Sequence, residues 1–237
     1  PGPRLLRAVV EAYREAAPRL VDPGVAALTS GADADRRTAA DLPALAVFAG
    51  ESALDAATAG FRPANRLAAL VDAELVDLRE LDAPQPNAVL AGAETGFALV
   101  EGGSADAVET DDEGGRGRRW HRVGDDASLR GRYASAFADA DPYRLRTPSR
   151  RRVYEGFASR CDEPVGAEVL RALDAPVGSE DPRSSGPDRE EARVRAYAVG
   201  AREGVLDRTL RRACEDAGLG SPSTFTRIKR LLREADL

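Results

Sequence analysis

The chain has 237 residues, 43% of them apolar, enough for one large domain or two small ones around a real core. Asp and Glu number 40 against 34 Lys and Arg, for a net charge of −6, with Lys229 the single lysine and His121 the single histidine. One histidine excludes a multi-histidine metal site, Cys161 and Cys214 make neither a zinc-spaced pair nor a disulfide framework, and no apolar run approaches the roughly 18 residues that cross a bilayer. No signal peptide is visible, so a soluble cytoplasmic protein is expected. Acids, Ala and Arg in place of Lys, Ile and Asn suggest a high-GC organism, and the acidity fits a high-salt cytoplasm.

Leu5, Leu6, Val9, Val10, Tyr13 and Leu20 recur at helical spacing and predict a helix from about Arg4 to Arg19, ended by Pro23-Gly24. Val25–Thr29 reads as a short strand, and Leu45–Ala49 as a better one, closed by Gly50. Glu51–Ala73 reads as a helix broken around Gly60–Pro63, with Leu67, Leu70 and Val71 inward. Leu75–Leu81 alternates like a half-buried strand. Asn87–Glu101 reads as a hairpin around Gly92–Gly96, Ala105–Thr110 as a further strand, and Asp111–Arg119 as a polar loop. Asp125–Ala140 is an amphipathic helix with Leu129, Tyr133, Ala136 and Phe137 on one side. Residues 1–148 thus form an α/β domain with a mixed sheet, suited to sensing or dimerisation.

Ser149–Leu173 reads as two helices split by Pro164, and Asp174–Pro187 as a loop, so residues 149–187 form a helical connector. Asp188 is an N-cap, with Glu191 at its third position, for a helix over Arg189–Arg202. It opens an all-α domain over residues 188–237. The predicted fold class is therefore α/β with a C-terminal helix-turn-helix. Both cysteines fall in phase with apolar neighbours and read as small core residues.

The last part of the chain is the most informative. Asp207–Ala217, the turn Gly218-Leu-Gly220 and the segment from Ser221 onward have the form of a helix, a turn and a recognition helix. On the last helix Phe225, Ile228 and Leu232 make one apolar stripe, and Ser223, Thr226, Arg227 and Arg230 lie opposite. Ser221 or Ser223 is placed to cap it. Thr226, Arg227 and Arg230 are candidates for base edges. Thr224, Lys229 and Arg233, with Arg208, Arg211 and Arg212 of the preceding helix, are candidates for phosphates. Val205–Arg233 carries 7 basic and 3 acidic residues within an acidic chain. That asymmetry suits a regulator whose one end meets double-stranded promoter DNA. The residue types leave one alternative open: a metabolite-sensing or protein-interaction module whose last helix packs on a partner.

Enzymatic motifs are lacking. There is no Gly-x-Ser-x-Gly elbow and no phosphate loop, and Gly92–Gly96 sits in a hairpin. The cluster Arg116-Gly-Arg-Arg-Trp-His-Arg122 reads as a loop entering an edge strand, its charges offsetting Asp111, Asp112 and Glu113, with a nucleic-acid contact as the alternative. No cofactor, metal or membrane partner is expected. Two half-sites on DNA match two-fold protein symmetry, so a homodimer is expected, and the α/β domain would supply its contacts or take a small-molecule effector.

The tract Gly218-Leu-Gly-Ser-Pro-Ser-Thr-Phe-Thr-Arg-Ile-Lys-Arg-Leu231 and its flanks resemble the haloarchaeal TbsP-type transcription regulators, matching a Ser-x-x-Thr-Phe-x-Arg-x-Lys-x-x-Leu pattern through Ser221, Thr224, Phe225, Arg227, Lys229 and Leu232. Tyr133–Phe137 followed by Tyr143–Pro148 is similar to that family's last helix and closing strand of the sensor-like domain. The resemblance implies a winged-helix regulator of sugar-metabolism genes, with the wing absent from this chain. It also implies an N-terminal domain distantly akin to phospholipase D. The phospholipase His-x-Lys signature is missing, so no such catalysis is implied.

Overall fold

The computed structural model describes residues 3–29, 41–82, 87–92, 94–101, 118–123, 127–175 and 188–234. The helix expected over 4–19 is two helices, α1 (Pro3–Ala16) and α2 (Pro18–Val21). Pro18 has no amide hydrogen to extend α1, and Ala17 leaves helical backbone at φ −139° and ψ 69°. Val25–Thr29 is a helix, α3, not the expected strand. The Gly24 carbonyl accepts from the amides of Ala27 and Leu28, and Leu28 is buried. An apolar run of five carries no period that separates one helical turn from a strand.

Strand β1 (Leu45–Ala49) pairs in parallel with β2 (Val76–Glu80), Val47 opposite Leu78. Between them run α4 (Glu51–Ala57) and α5 (Phe61–Asp72). The expected break falls at Gly60, whose φ of 87° suits a glycine, and Pro63 sits within the first turn of α5. Leu67 and Leu70 are buried as expected, and Val71 packs half-buried against the same core. Leu6, Val10 and Tyr13 of α1 close this core over Val47, Val76 and Leu78. Residues 141–143 run along the far side of β2: the Glu80 amide donates to the Asp141 carbonyl and the Tyr143 amide to that of Leu78, both at 2.9 Å.

The hairpin is present as β3 (Val89–Ala91) and β4 (Gly96–Glu101), and β5 (Arg118–Arg122) adds antiparallel to β4. The strand expected at 105–110 and residues 111–117 of the expected loop lie outside the described residues, while Arg118 and Arg119 belong to β5. α6 (Ala127–Asp139) follows, its Phe137 edge-on to Phe48 at 6.0 Å between ring centres.

Five further helices follow among the described residues: α7 (Arg150–Arg160), α8 (Glu163–Asp174), α9 (Arg189–Arg202), α10 (Asp207–Asp216) and α11 (Pro222–Glu234). Asp162 separates α7 from α8 by accepting from the Val165 amide at 2.8 Å, with Pro164 in the first turn. Their common core gathers Val153, Phe157, Val169, Leu170, Leu210, Cys214, Phe225 and Ile228, all fully buried or nearly so, and Cys161 packs half-buried against it. Leu28 of α3 and Phe61 of α5 enter this same core.

A polar seam ties the N-terminal and C-terminal regions. The Arg150 guanidinium, 8% exposed, donates to both carboxylate oxygens of Asp174 and to the Pro23 carbonyl, and lies 3.3 Å from Asp22. Burial would lower its pKa, but Asp174 and Asp22 outweigh that and keep it charged. Ser149 donates to Asp72 at 2.6 Å and accepts from the Arg152 amide, so one hydroxyl caps α7 and holds α5. Asn65 donates to the Pro148 carbonyl at 2.6 Å. Among the described residues no helix is long and apolar enough to cross a membrane.

Candidate nucleic-acid interface

Two matching turns set the geometry of the last three helices. At the end of α9, Val205 donates to the Gly200 carbonyl and Gly204 to that of Ala201, with Gly204 at φ 75°. At the end of α10, Leu219 donates to Cys214 and Gly218 to Glu215, with Gly218 at φ 73°. Both are six-to-one and five-to-two bond pairs around a left-handed glycine, which stop a helix and redirect the chain sharply. Leu219 is then buried beside Cys214, the apolar contact that accompanies such a stop. Gly200 is a point of close approach, since a Cβ there would meet the Leu210 side chain at 2.3 Å.

α11 lays Phe225 and Ile228 into the core, both fully buried, with Leu232 half-buried beside them. The Phe225 ring stacks on Tyr197 of α9 at 5.9 Å and 16°. The opposite face is open: Ser223, Thr226, Arg227, Arg230 and Arg233 are exposed, Arg230 to 72%. Helix start and turn bring three hydroxyls together, Ser221 Oγ lying 2.8 Å from Ser223 Oγ and 3.2 Å from Thr224 Oγ1.

The candidate cations divide into engaged and available groups. Lys229 holds Asp207 at 3.1 Å, and Arg211 donates to the same carboxylate at 2.6 Å and to Thr226 Oγ1 at 3.3 Å. Thr226 itself donates to the Pro222 carbonyl at 3.1 Å. Arg227 donates to Glu190 of α9 at 2.6 Å. Arg230 lies only loosely against Glu234, at 3.7 Å. Arg208, Arg212 and Arg233 form no ion pair with a described residue. Available cations therefore sit on the outer edges of α10 and α11, and engaged ones sit between the helices.

Asp207 is the residue that sequence reasoning missed. Its carboxylate accepts from the Tyr197 hydroxyl of α9, from Arg211 of α10 and from Lys229 of α11. One acid at the first position of α10 thus fixes three helices. The Tyr197 hydrogen bond, then Lys229 and Arg211, hold its pKa below the ordinary carboxylate value against the opposing effect of burial. Burial and Asp207 in turn push the Tyr197 hydroxyl well up, so it remains a proton donor. Nothing marks Asp207 in the sequence beyond its favourable place in a first turn.

Elsewhere, β5 carries Trp120 and His121 at the edge of its sheet among the described residues, while Arg116 and Gly117 of the expected loop lie outside them. An open crevice lies past the carboxyl ends of β1 and β2, between Phe48, Glu80, Asp82, Arg132 and Tyr133. Among the described residues, no group of three His, Cys, Asp or Glu side chains is arranged to hold a metal.

These elements define a helix-turn-helix protein whose second helix is buried on one face and basic on the other, joined to an α/β domain. A family model described as "Transcriptional regulator TbsP-like, N-terminal" matches residues 3–148, and one described as "Transcriptional regulator TbsP-like, C-terminal HTH domain" matches residues 149–237. The chain belongs to the TbsP-like transcriptional regulators. No curated protein and no solved structure matches it significantly.

Proposed function

We propose that this regulator binds double-stranded promoter DNA in a sequence-specific manner by laying α11 in the major groove. Arg227, Arg230, Ser223 and Thr226 face base edges. Ser221, Thr224, Lys229, Arg233, Arg208 and Arg211 flank them toward the phosphates. The observation that carries this reading is the division of α11 itself: Phe225 and Ile228 are fully buried, while Arg227 and Arg230 on the far side are 56% and 72% exposed. A helix fixed on one face and offering guanidinium groups on the other suits groove readout. The engaged cations refine the roles. Lys229 and Arg211 orient the two helices through Asp207, and Arg230 is the first candidate for a guanine contact.

The protein acts as a homodimer on paired half-sites, in a cytoplasm of high salt, with domains at 1–148, 149–187 and 188–237. The crevice at the strand ends is the place for a small-molecule effector, since ligands of open α/β sheets bind past the carboxyl ends of strands. Sugar-metabolism genes are the proposed targets.

Selection from a random duplex library tests the reading. The full chain enriches a motif, and Arg230→Ala weakens binding to that motif by about 1–3 kcal/mol and relaxes the preference at one base position. If the Arg227→Ala/Arg230→Ala protein, folded by circular dichroism, enriches the same motif equally well, the assigned face is wrong. If the wild type enriches nothing, the interaction-module reading replaces this one.

A further inference from the structure

A second basic surface lies beside α11, on elements that no sequence motif connects to it. Arg189 and Arg193 are one turn apart on the same side of α9. Arg193 donates to the Leu219 carbonyl, in the turn that leads into α11, so its stem is pinned against the helix-turn-helix. From the other side the chain entering α7 reaches the same turn: a Cβ on Gly218 would lie 3.2 Å from Pro148 and 3.2 Å from the Arg152 guanidinium. Arg146 is exposed two residues before Pro148. Arg152 and Arg193 thus meet at this turn, and around them Arg189 lies near enough to Arg193 and Arg146, and Arg193 to Arg227, for their charges to repel.

Among the described residues, the acids nearest this surface each have a hydrogen-bond partner. Asp188 accepts from the Glu191 amide as the cap of α9, Glu190 holds Arg227, and Asp55 accepts from Tyr143. Arg146 and Arg189 form no ion pair with a described residue. The crowding has a cost: burial, then the neighbouring Arg193 and Arg146, lower the Arg189 pKa, and burial and Arg227 lower that of Arg193 against the pull of Glu190. Guanidinium groups held together against their own repulsion are stabilised by an anion laid across them.

We propose that Arg146, Arg189 and Arg193 form a phosphate clamp that grips the DNA backbone flanking the groove entered by α11. The inference rests on α11 being the DNA-facing helix. The clamp carries no base preference. It fixes the orientation in which Arg230 meets the bases, and it couples the last residues of the α/β domain to the operator.

Binding of a labelled mixed-sequence DNA duplex tests the clamp without knowledge of the operator. Anisotropy titrations run across the range of salt in which far-UV circular dichroism shows the native fold. The Arg146→Ala/Arg189→Ala protein binds more weakly than wild type, and its plot of log affinity against log salt is shallower by about 0.9 for each phosphate no longer neutralised. Arg146→Lys/Arg189→Lys restores most of the slope. Arg14→Ala/Arg19→Ala, the same loss of charge on α1 and α2, leaves it unchanged. A wild-type slope in the Arg146→Ala/Arg189→Ala protein overturns the clamp and leaves the α11 reading standing. An equal loss of slope in the Arg14→Ala/Arg19→Ala control also overturns it, by showing only a net-charge effect. A wild type that binds no duplex overturns both proposals together.

Discussion

The C-terminal helices converge on one core in which Phe157, Leu170, Leu210, Phe225 and Ile228 are fully buried or nearly so. The sheet β3–β5 leaves Leu90, Phe97 and Trp120 each 38–39% exposed. By register these three share a face, Leu90 beside Phe97, and Trp120 beside Leu99 two residues further along β4. Helix stripes and sheet faces find their cover in different ways. A helix stripe is closed by the next helices in sequence once turns such as those at Gly204 and Gly218 fold them back. A small sheet offers two faces, and α6 comes against this sheet at Gly96, where a Cβ would strike Leu129 at 2.6 Å.

Matched truncations should separate the two regions most strongly. Phe225→Ala opens a cavity in the helical core and should cost about 3–5 kcal/mol, whereas Phe97→Ala should cost about 1 kcal/mol because much of its ring already meets solvent. Urea unfolding followed by far-UV circular dichroism reports the helices, and the fluorescence of Trp120, the single tryptophan, reports the sheet. Equal midpoint shifts for the two variants would erase the contrast.

Substitutions at two glycines should separate the helical core from α6 by smaller amounts. In α7, a Cβ on Gly156 would lie 2.5 Å from the Ala217 backbone nitrogen, and backbone cannot yield as a side-chain tip can. Gly156→Ala should destabilise by about 1–3 kcal/mol as the α7–α10 crossing is forced apart. Gly131 of α6 has nothing within 4 Å, so Gly131→Ala should stabilise by about 0.5–1 kcal/mol through helix propensity alone. Melting temperatures moving in opposite directions confirm that the α7–α10 crossing is packed to contact while α6 is open at Gly131. A stabilising Gly156→Ala would show the crossing to be looser than its geometry.

The same contrast governs what could be read from the residues. Helix α11 and its turn were legible because Phe225, Ile228 and Leu232 keep a helical period and Gly218 marks the stop, all within one short window. Asp188, Pro164 and Gly60 likewise act on their immediate neighbours and fell where expected. The parallel pairing of β1 with β2 was not legible, because it is made across two intervening helices. Val25–Thr29 was misjudged for want of length, and its true role, delivering Leu28 to a core built mostly after residue 150, depends on contacts far along the chain. Among the site residues, exposure of Arg230 followed from the period alone. Commitment of Lys229 and Arg211 to Asp207 did not, because it requires knowing how α10 meets α11.

Asp207 gives the subtlest expected effect. Its folded pKa lies below the ordinary value of 3.8, first because the Tyr197 hydroxyl donates to it. A depressed carboxyl favours the folded state above that ordinary value, and the favour fades as pH falls below it toward the folded pKa. The stability difference between wild type and Asp207→Asn should therefore be constant at neutral pH and shrink in acid, below about pH 4. Tyr197→Phe removes the leading cause and should raise the Asp207 titration midpoint, read by carboxyl-carbon NMR, without moving the fluorescence of Trp120. Because this carboxylate is partly solvated, both changes should be small. A titration midpoint unmoved by Tyr197→Phe would mean that Lys229 and Arg211 alone hold the charge, and that α9 is joined to the helix-turn-helix by the Phe225 stack and the shared core rather than by this acid.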